Sequence, residues 1–433
     1  MASIKVAVRC RPFSVEDELG VNMEQDVEEE SGVTELVGSK YQNARFPFSW
    51  SWWSAYGYQR KLKGDGMSIA DGMTLTDQVM VYNQCGVKIL KEFLTGDTIV
   101  IFAYGLSGSG KTYTVFGPDS VASPDAWFKH KTQPHDLWGV FPRFTWDLFN
   151  MKQDNWEISL RYFQNMVNDV RDLSSPTCEE HHYKQGLHKD SSGFMEFDWV
   201  KSVKLETFSD LCDAINFSNS QKGIASTQFN HQSTRGHCIL QLECKKPFED
   251  DPNVMVTCRM YVCDLAGTEP AADIYSAVYK RHVIDGRVEM ELIGQNENKA
   301  LSTELQNQGK KINLSLTEMA QFFMKMAQAS KSGKLKPGAS IPGCNSYFLC
   351  KYLKDTMLMA KTYLFCAIRP EKKYHPYSYS TLVFAKNASV IKLKPKKGNV
   401  GGAVPPHLQK QMDALNDTIA EQKNQDCRVR EAS

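Results

Sequence analysis

The residues best suited to chemistry form one short run, Gly105-Leu106-Ser107-Gly108-Ser109-Gly110-Lys111-Thr112. The run satisfies the pattern G-x-x-x-x-G-K-[ST], and it follows an apolar strand predicted at residues 98–104. Glycines let backbone N–H groups approach phosphate oxygens, and the helix that follows directs its positive end at the same anion. The spacing therefore predicts a nucleotide phosphate site in which Lys111 reaches the β- and γ-oxygens and Thr112 binds Mg²⁺.

Two other polar segments could sense the terminal phosphate. An apolar strand predicted at 260–263 ends in Asp264, whose carboxylate could hold Mg²⁺ through water, and the N–H of Gly267 could contact the γ-phosphate. Residues 230–237 place hydroxyl, guanidinium and amide groups directly before a strand predicted at 238–244. Taken alone, Asp264 could be a solvated turn residue and the other segment an ordinary polar turn. Beside a phosphate loop, the segment is better interpreted as a source of a Mg²⁺ ligand and phosphate contacts.

Strands and helices alternate along the chain. The hydrophobic patterns predict strands at 4–8, 98–104, 157–162, 238–244, 260–263 and 363–368, and helices at 77–94, 208–217 and 314–327. Together they predict an α/β fold of the P-loop NTPase kind, with a central, mainly parallel or mixed twisted sheet flanked by helices on both faces. Loops at the strand ends would then form the binding edge.

Three stretches interrupt this rhythm, at residues 49–71, 118–139 and 271–308, and they are interpreted as surface insertions. The tryptophans of the first stretch are expected to pack rather than to form a binding site; they are Trp50, Trp52 and Trp53. None of the three stretches has an assignable chemistry.

Composition limits the function classes. The 433 residues have a formal net charge of +1, so whole-molecule attraction to nucleic acid or anionic lipid is not a credible driving force. The longest apolar run is far shorter than the roughly 20 residues of a membrane-spanning helix, and a soluble, cytoplasmic protein is expected.

Several of the 12 cysteines lie in apolar stretches, which favours reduced thiols. Cys178, His181 and His182 lack paired metal-ligand spacing, so a solvated loop is favoured there over a zinc site.

The composition changes near residue 392, where the globular domain is expected to end. Lysine, glycine and proline then predict a flexible linker at 393–406. Beyond it, residues 407–433 begin an apolar seam with steps of four and three, which fails after two heptads. A weak coiled coil that could support a homodimer and a frayed amphipathic tail remain open alternatives.

At this point the motifs resemble a known family. The phosphate loop after Phe102-Ala103-Tyr104, the segment Ser233-Thr234-Arg235-Gly236-His237 and the run Asp264-Leu265-Ala266-Gly267-Thr268-Glu269 together resemble the kinesin motor domain, in one order over residues 4–392. The resemblance implies ATP and Mg²⁺ as ligands and an ATP hydrolase stimulated by microtubules. It also implies that Arg9, Arg11, Pro12 and Tyr113 frame the adenine base.

The family's first switch pattern, N-x-x-S-S-R-S-H, falls on residues 230–237. The resemblance implies that Asn230 and Ser233 act at the catalytic site and that Thr234 joins Thr112 and Asp264 as a metal ligand. Arg235 and Glu269 would form the salt bridge that closes the site. Gly236 replaces a serine of the pattern, so the resemblance leaves the rate or the nucleotide response in doubt.

The resemblance also implies a tubulin-facing surface, and there the chain departs from the family. The family patterns N-K-S-L and P-Y-R-x-S-K-L-T correspond to Asn313-Leu314-Ser315-Leu316 and to residues 342–349, and the basic residues of both are missing. Neighbouring cations that could compensate are Lys310, Lys311, Lys331, Lys334, Lys336, Lys351 and Lys354. Only residues 1–3 precede the first predicted strand, so the helper strand for the linker is expected to be short or absent and force production weak.

Three functions remain in view at the level of sequence. The first is an ATP-hydrolysing microtubule motor, plus-end directed by resemblance and associated with the cytoskeleton. The second is a nucleotide-binding tubulin adaptor with little turnover, against which the intact Lys111, Thr112, Arg235 and Glu269 speak. The third is an unrelated P-loop enzyme such as a GTPase or a small-molecule kinase, for which no guanine-reading motif is found in the expected place.

Overall fold

The computed structural model describes residues 2–12, 20–38, 44–54, 75–227, 236–248, 253–268, 278–284, 287–294, 299–335, 341, 343–393, 395 and 400–401. The strands are β1 (Ala2–Ser3), β2 (Lys5–Cys10), β3 (Val21–Asp26), β4 (Ser31–Leu36), β5 (Ala44–Phe48), β6 (Trp50–Ser54), β7 (Leu75–Thr76), β8 (Ile99–Gly105), β9 (Glu157–Met166), β10 (Asp169–Asp172), β11 (Glu180–His182), β12 (Leu187–Lys189), β13 (Met195–Phe197), β14 (Val203–Leu205), β15 (His237–Pro247), β16 (Met255–Asp264), β17 (Val278–Ile284), β18 (Arg287–Gly294), β19 (Lys361–Ile368), β20 (Lys392–Leu393) and β21 (Val400–Gly401). The α-helices are α1 (Gln78–Val81), α2 (Val87–Leu94), α3 (Lys111–Val115), α4 (Val140–Met151), α5 (Phe208–Thr227), α6 (Lys299–Lys331), α7 (Phe348–Met359) and α8 (His375–Ser389).

A 12-stranded mixed sheet forms the centre of the molecule. Its order is β11-β10-β9-β15-β16-β8-β19-β2-β6-β7, with β14 beside β9 and β21 beside β16. In this order, each adjacent pair in β16-β8-β19-β2-β6-β7 is parallel. Each adjacent pair in β11-β10-β9-β15-β16 is antiparallel. The predicted mixed α/β sheet is therefore confirmed.

Strand β8 lies in the middle of the sheet and is buried along its whole length. Its side chains alternate between two apolar cores: Val100, Phe102 and Tyr104 pack on one face, and their immediate neighbours pack on the other. The first core is covered by α6, α7 and α8, and the second by α2, α4 and α5. Because both faces are covered, the strand reads as a continuous apolar run, and the phosphate loop leaves it from a fixed position.

All six predicted strands and all three predicted helices are present, although several are longer than predicted. Helices α5 and α6 extend well beyond the predicted 208–217 and 314–327. The predicted helix at 77–94 begins where the Asp77 side chain accepts a hydrogen bond from the Met80 N–H at 2.8 Å, and it contains a π-helical turn at Tyr82–Gly86 between α1 and α2. It stops before Gly96, whose φ of 89° is left-handed.

The interpretation of residues 49–71 as a surface insertion was wrong for its first part. Residues 50–54 form β6, a strand of the central sheet parallel to β2. Trp50, Trp52 and Trp53 are buried, so the expectation that they pack is confirmed. Residues 55–71 lie outside the described part of the chain.

The interpretation of residues 118–139 was also wrong in part. Trp127, Phe128 and Trp138 are completely buried in the core that α4 and α5 cover. Asp119 fixes this stretch to the domain. Its Oδ1 accepts hydrogen bonds from Trp127 Nε1 at 3.2 Å and from Asn219 Nδ2 of α5 at 2.9 Å. Most of the other residues of this stretch, including Val121 at 38%, are exposed to solvent, as expected of a surface insertion.

The stretch 271–308 contains a β17–β18 hairpin, and its last ten residues belong to α6. At the other end of the chain, β1 pairs antiparallel with β20, and β21 pairs antiparallel with the first residues of β16. A two-residue strand thus lies where the helper strand was expected to be short or absent. Within the described residues, no helix is long and apolar enough to cross a membrane.

Candidate functional site

The phosphate loop owes its shape to glycine. Gly105, Gly108 and Gly110 have φ angles of 142°, 68° and 104°, in the region that favours glycine. A Cβ on Gly105 would lie 2.1 Å from the carbonyl oxygen of Ala367 on β19, so this position cannot hold a larger residue without movement of the backbone. Helix α3, which follows, is only five residues long. The loop backbone and Lys111, rather than a long helix dipole, must therefore supply most of the attraction for an anion.

Lys111 is held across the loop. Its side chain is 7% exposed, and its Nζ donates hydrogen bonds to the carbonyl oxygens of Gly105 and Leu106, both at 3.1 Å. Ser109 Oγ donates to the same Leu106 oxygen at 2.7 Å, and Arg11 Nη1 donates to the Gly108 oxygen at 2.8 Å. An ammonium group fixed this way is preorganised to meet phosphate oxygens that enter the loop. Ser107, the third residue of the loop, is half-exposed.

Asp264 lies beside the loop because β16 is the parallel neighbour of β8. Thr112 Oγ1 donates a hydrogen bond of 2.7 Å to Asp264 Oδ2. The other carboxylate oxygen, Oδ1, is buried and has no hydrogen-bond partner in the described structure. Burial raises the pKa of Asp264, against the opposing effects of Thr112 and Lys111. A hydroxyl beside an orphaned carboxylate oxygen fits a hard divalent cation such as Mg²⁺, which prefers oxygen ligands.

The residues after Asp264 continue along the loop. The Leu265 N–H donates to the Ala103 carbonyl at 3.2 Å, and the Thr268 N–H donates to the Gly105 carbonyl at 3.3 Å. Gly267 lies between Leu265 and Thr268 in the chain and is buried. The structure therefore holds Gly267 next to the loop at residues 105–112, and its predicted contact with the γ-phosphate stays a prediction.

The residues predicted to frame the base differ in burial. Arg9 is 4% exposed and its Nη1 donates to Gln78 Oε1 at 2.6 Å, while its guanidinium lies 5.5 Å from the centre of the Tyr113 ring. Burial lowers the pKa of Arg9 to about 10. Arg9 thus supports Tyr113 from inside the domain, whereas Arg11 and Pro12 remain half-exposed and free of such burial.

Gln78 is a site residue that the sequence analysis missed. Its Nε2 donates to the Tyr113 carbonyl at 2.7 Å and to the Leu137 carbonyl at 3.2 Å, while its Oε1 accepts from Arg9. The only signal in the sequence was a polar residue in the first turn of a helix whose other face is apolar. Gln78 thus links Arg9 and Tyr113 to Leu137 of the stretch 118–139.

Most of the first switch segment lies outside the described residues, as does Glu269. The predicted roles of Asn230, Ser233, Thr234, Arg235 and Glu269 therefore stay predictions. Gly236 and His237 are described and both are buried. A Cβ on Gly236 would lie 2.7 Å from Gln164 Nε2, so the neighbouring carboxamide fills the space next to this residue.

The two departures on the predicted filament surface have distinct environments. All three residues belong to α6: Leu314 is 49% exposed, whereas Ser315 and Leu316 are buried. Glu318 of the same helix accepts hydrogen bonds from the N–H groups of Ser346 and Tyr347, at 2.8 and 3.0 Å, and so caps the start of α7. The exposed cations of this region are Lys310, Lys311, Lys331 and Lys334. Lys351 and Lys354 are half-buried, and Lys336 lies outside the described residues.

The cysteine and histidine segment is not the solvated loop that was favoured. Glu180–His182 form β11, an edge strand paired with β10, and His181 packs against Trp199 with ring centres 4.7 Å apart. Across the described residues, no group of three or more His, Cys, Asp or Glu side chains is placed to hold a metal ion.

Comparisons with known proteins agree with this geometry. A family model described as the kinesin motor domain matches residues 10–283. The chain is 25% identical over 407 residues to kinesin-like protein unc-104 of Caenorhabditis elegans, covering 90% of this chain and 22% of that protein. It is 24% identical over 407 residues to kinesin-like protein KIF1B of Rattus norvegicus, covering 90% of this chain and 19% of that protein. The chain thus spans about a fifth of the length of these relatives.

The fold also matches a solved structure, described as that of a fast kinesin with implications for ATPase mechanism and interactions with microtubules. The two share 20% sequence identity and a TM-score of 0.65, over 93% of this chain and 95% of the other. At this identity the match speaks for the fold alone.

Proposed function

Because the chain belongs to the kinesin motor domain family, we propose that it is a microtubule-based motor that hydrolyses ATP. The observation that carries the proposal is the Thr112–Asp264 hydrogen bond next to the glycine-shaped loop, with Asp264 Oδ1 buried and unpaired. This pair would help to hold a Mg²⁺ ion bound to the triphosphate. Loop amides and Lys111 would receive the β- and γ-phosphates.

The proposed roles of the individual residues follow the predicted site. Bound Mg²⁺ would neutralise charge on the β- and γ-oxygens, and its protein ligands would be Thr112, Thr234 and Asp264. Lys111 would hold the phosphates in line, and the Gly267 N–H would meet the γ-phosphate. Arg235 and Glu269 would close the site by a salt bridge, with Asn230 and Ser233 orienting the attacking water. Arg11, Pro12 and Tyr113 would contact the base, and Arg9 would support Tyr113.

We further propose that γ-phosphate release is coupled to microtubule affinity and to movement of a neck linker at residues 393–406. Residues 4–392 would form the motor domain, and residues 407–433 would begin a weak coiled coil or an amphipathic tail that could support a homodimer. The pairing of β20 with β1 and of β21 with β16 supports a linker that can lie along the domain. Motion toward the plus end and a cytoplasmic location on microtubules complete the proposal.

A second candidate is a nucleotide-binding tubulin adaptor with little turnover. The observation that favours it is the combination of Gly236 in place of a serine with an apolar, exposed Leu314 in place of a basic residue. Loss of a basic residue on a surface that meets an acidic partner should reduce the association rate and its dependence on salt. Such a protein could bind tubulin and nucleotide without rapid hydrolysis.

Steady-state ATP turnover, measured with and without microtubules, separates the two candidates. A motor is expected to be stimulated strongly, and the Lys111→Ala variant is expected to lose turnover because it lacks the ammonium group that meets the phosphates. Lys131→Ala is the matched control, since Lys131 is a surface lysine whose ion-pair partner is Asp213. Slow, unstimulated turnover together with tight microtubule binding would favour the adaptor. Unchanged turnover in Lys111→Ala would refute the assigned phosphate site.

A further inference from the structure

Gln78 is a buried side chain whose hydrogen bonds connect three parts of the chain. The residue is 2% exposed. Its Oε1 accepts a hydrogen bond from Arg9 Nη1 at 2.6 Å, and its Nε2 donates to the carbonyl oxygens of Tyr113 at 2.7 Å and of Leu137 at 3.2 Å. Because a guanidinium can only donate and a carbonyl can only accept, these partners fix the orientation of the carboxamide. Both N–H hydrogens are used, so Gln78 has no donor left for a ligand.

Arg9 depends on Gln78 for its position. Gln78 Oε1 is the closer of two acceptors of Arg9 Nη1, since Thr114 Oγ1 lies at 3.4 Å. Burial lowers the pKa of Arg9 to about 10, which still leaves the guanidinium charged at neutral pH. The guanidinium lies 5.5 Å from the centre of the Tyr113 ring, within the distance at which a cation attracts an aromatic face. The Gln78 oxygen therefore fixes the cation that supports this ring.

Tyr113 is held at its main chain as well as at its ring. Its carbonyl oxygen accepts hydrogen bonds from Gln78 Nε2 and from the Gly117 N–H, the latter at 2.8 Å. The Gln78 bond matters because α3 has only five residues and makes few hydrogen bonds of its own. Tyr113 is half-exposed, whereas Gln78 is buried. The part of Tyr113 that is open to a ligand is thus placed by a residue that the ligand would not touch.

The phosphate side of the site has separate support. Lys111 Nζ is held by carbonyl oxygens of the phosphate loop, and Thr112 Oγ1 donates to Asp264. The three hydrogen bonds of Gln78 go to other residues. A change at Gln78 should therefore disturb Tyr113 without disturbing the groups that would meet the phosphates.

We propose that Gln78 is a positioning residue that sets the affinity for the nucleobase by holding Arg9 and Tyr113 in place. This inference rests on the proposed function, in which Tyr113 contacts the base. It adds that the preference for a nucleotide over a triphosphate without a base depends on a buried carboxamide that neither the base nor the phosphates touch. Gln78 then acts on nucleotide binding entirely through Tyr113.

Equilibrium binding of ATP and of inorganic tripolyphosphate, which has no base, tests this role in the presence of Mg²⁺. Gln78→Met keeps the length of the side chain but removes its hydrogen bonds. It should weaken ATP binding about tenfold, within the range that loss of one base–aromatic stack produces, and it should bind tripolyphosphate as the wild type does. In steady-state turnover the variant should raise KM for ATP and leave kcat unchanged. Gln78→Asn keeps the carboxamide but is too short to span its partners, and it should show the same selective loss.

Two comparisons show whether the effect passes through Tyr113. Gln84→Met is the matched control, because Gln84 lies in the π-helical turn between α1 and α2 and its Oε1 accepts from Trp52 Nε1 at 2.7 Å. This variant should bind both ligands as the wild type does. Adding Gln78→Met to Tyr113→Ala should cost no further ATP affinity, because the stack that Gln78 positions is already lost.

The possible results separate the inference from the proposed function. Equal losses of ATP and tripolyphosphate affinity in both Gln78 variants would overturn the inference alone, as would unchanged ATP affinity or additive losses in the double variant. Failure of the wild type to bind ATP would remove both the inference and the proposed function.

Discussion

Replacement of Gly236 by serine would restore the residue that the family pattern has at this position, yet the structure predicts that it destabilises this chain. A Cβ at Gly236 would lie 2.7 Å from Gln164 Nε2, 3.0 Å from Gln164 Cγ and 3.1 Å from the Asn165 carbonyl oxygen. The first two atoms belong to a side chain that could move, but the third belongs to the backbone of β9. The serine side chain therefore competes with Gln164 for one buried space.

The cost can be derived from this overlap. Overpacking of a well-packed interior costs about 1–3 kcal/mol, so Gly236→Ser is expected to reduce the free energy of unfolding by that amount. Gln164 is 6% exposed, and its Oε1 has no partner among the described residues, so truncation to alanine removes both the obstruction and an unsatisfied oxygen. The double variant of Gly236→Ser and Gln164→Ala should then be more stable than the sum of the two single effects, by at least about 1 kcal/mol.

Urea unfolding of the wild type, both single variants and the double variant measures this coupling. Gly236→Ser combined with Gln241→Ala is the matched control, because Gln241 is also buried on the same sheet with an Oε1 lacking a partner in the described structure, but it lies five positions further along β15. That pair should be additive. A coupling below about 0.5 kcal/mol between positions 236 and 164 would refute the steric reasoning, since independent sites add within that margin.

Two further predictions concern the stability of the protein without nucleotide. Burial lowers the pKa of His237 from its usual 6.5 to about 4, so its contribution to the free energy of unfolding is complete above pH 6.5 and is lost as the pH falls toward 4. The loss should reach about 3 kcal/mol. His237→Asn should flatten this part of a profile of urea unfolding against pH. Gly105→Ala would combine backbone strain at a positive φ with an overlap between its Cβ and the Ala367 carbonyl oxygen. Its urea midpoint should therefore fall further than that of Gly110→Ala, whose Cβ would meet nothing within 4 Å. Equal midpoints would contradict the role of the β19 backbone.

The phosphate site could be predicted from the sequence because its information is local. Gly105, Gly110 and Lys111 lie within seven residues, and the strand before them is apolar without interruption. Asp264 could be assigned to the site because it ends a predicted strand, and the ends of parallel strands meet at the sheet edge where the phosphate loop begins. Its contact with Thr112, over a separation of 152 residues, needed only that β16 and β8 be neighbours.

Other parts of the site depend on strand order and packing, which the sequence does not state. Gln78 meets Arg9 because α1 begins beside the end of β2, and nothing in either segment indicates this pairing. The stretch 49–71 was misread for a related reason. A parallel strand covered on both faces lacks the alternation that marks a half-buried strand, and Trp50–Ser54 lies beside residues whose composition is typical of an insertion.

Residues 236 and 237 are neighbours in one motif, yet the structure places them under different constraints. Gly236 is constrained by volume, because the Gln164 carboxamide occupies the space that a side chain would need. His237 is constrained by hydrogen bonding, since both ring nitrogens have fixed partners on different elements. A change at 236 can therefore be compensated by a change at 164, on a neighbouring strand. A replacement at 237 would need to accept a hydrogen bond from the Ala266 N–H and also donate one to Ser315 Oγ, as the neutral imidazole does through its two ring nitrogens.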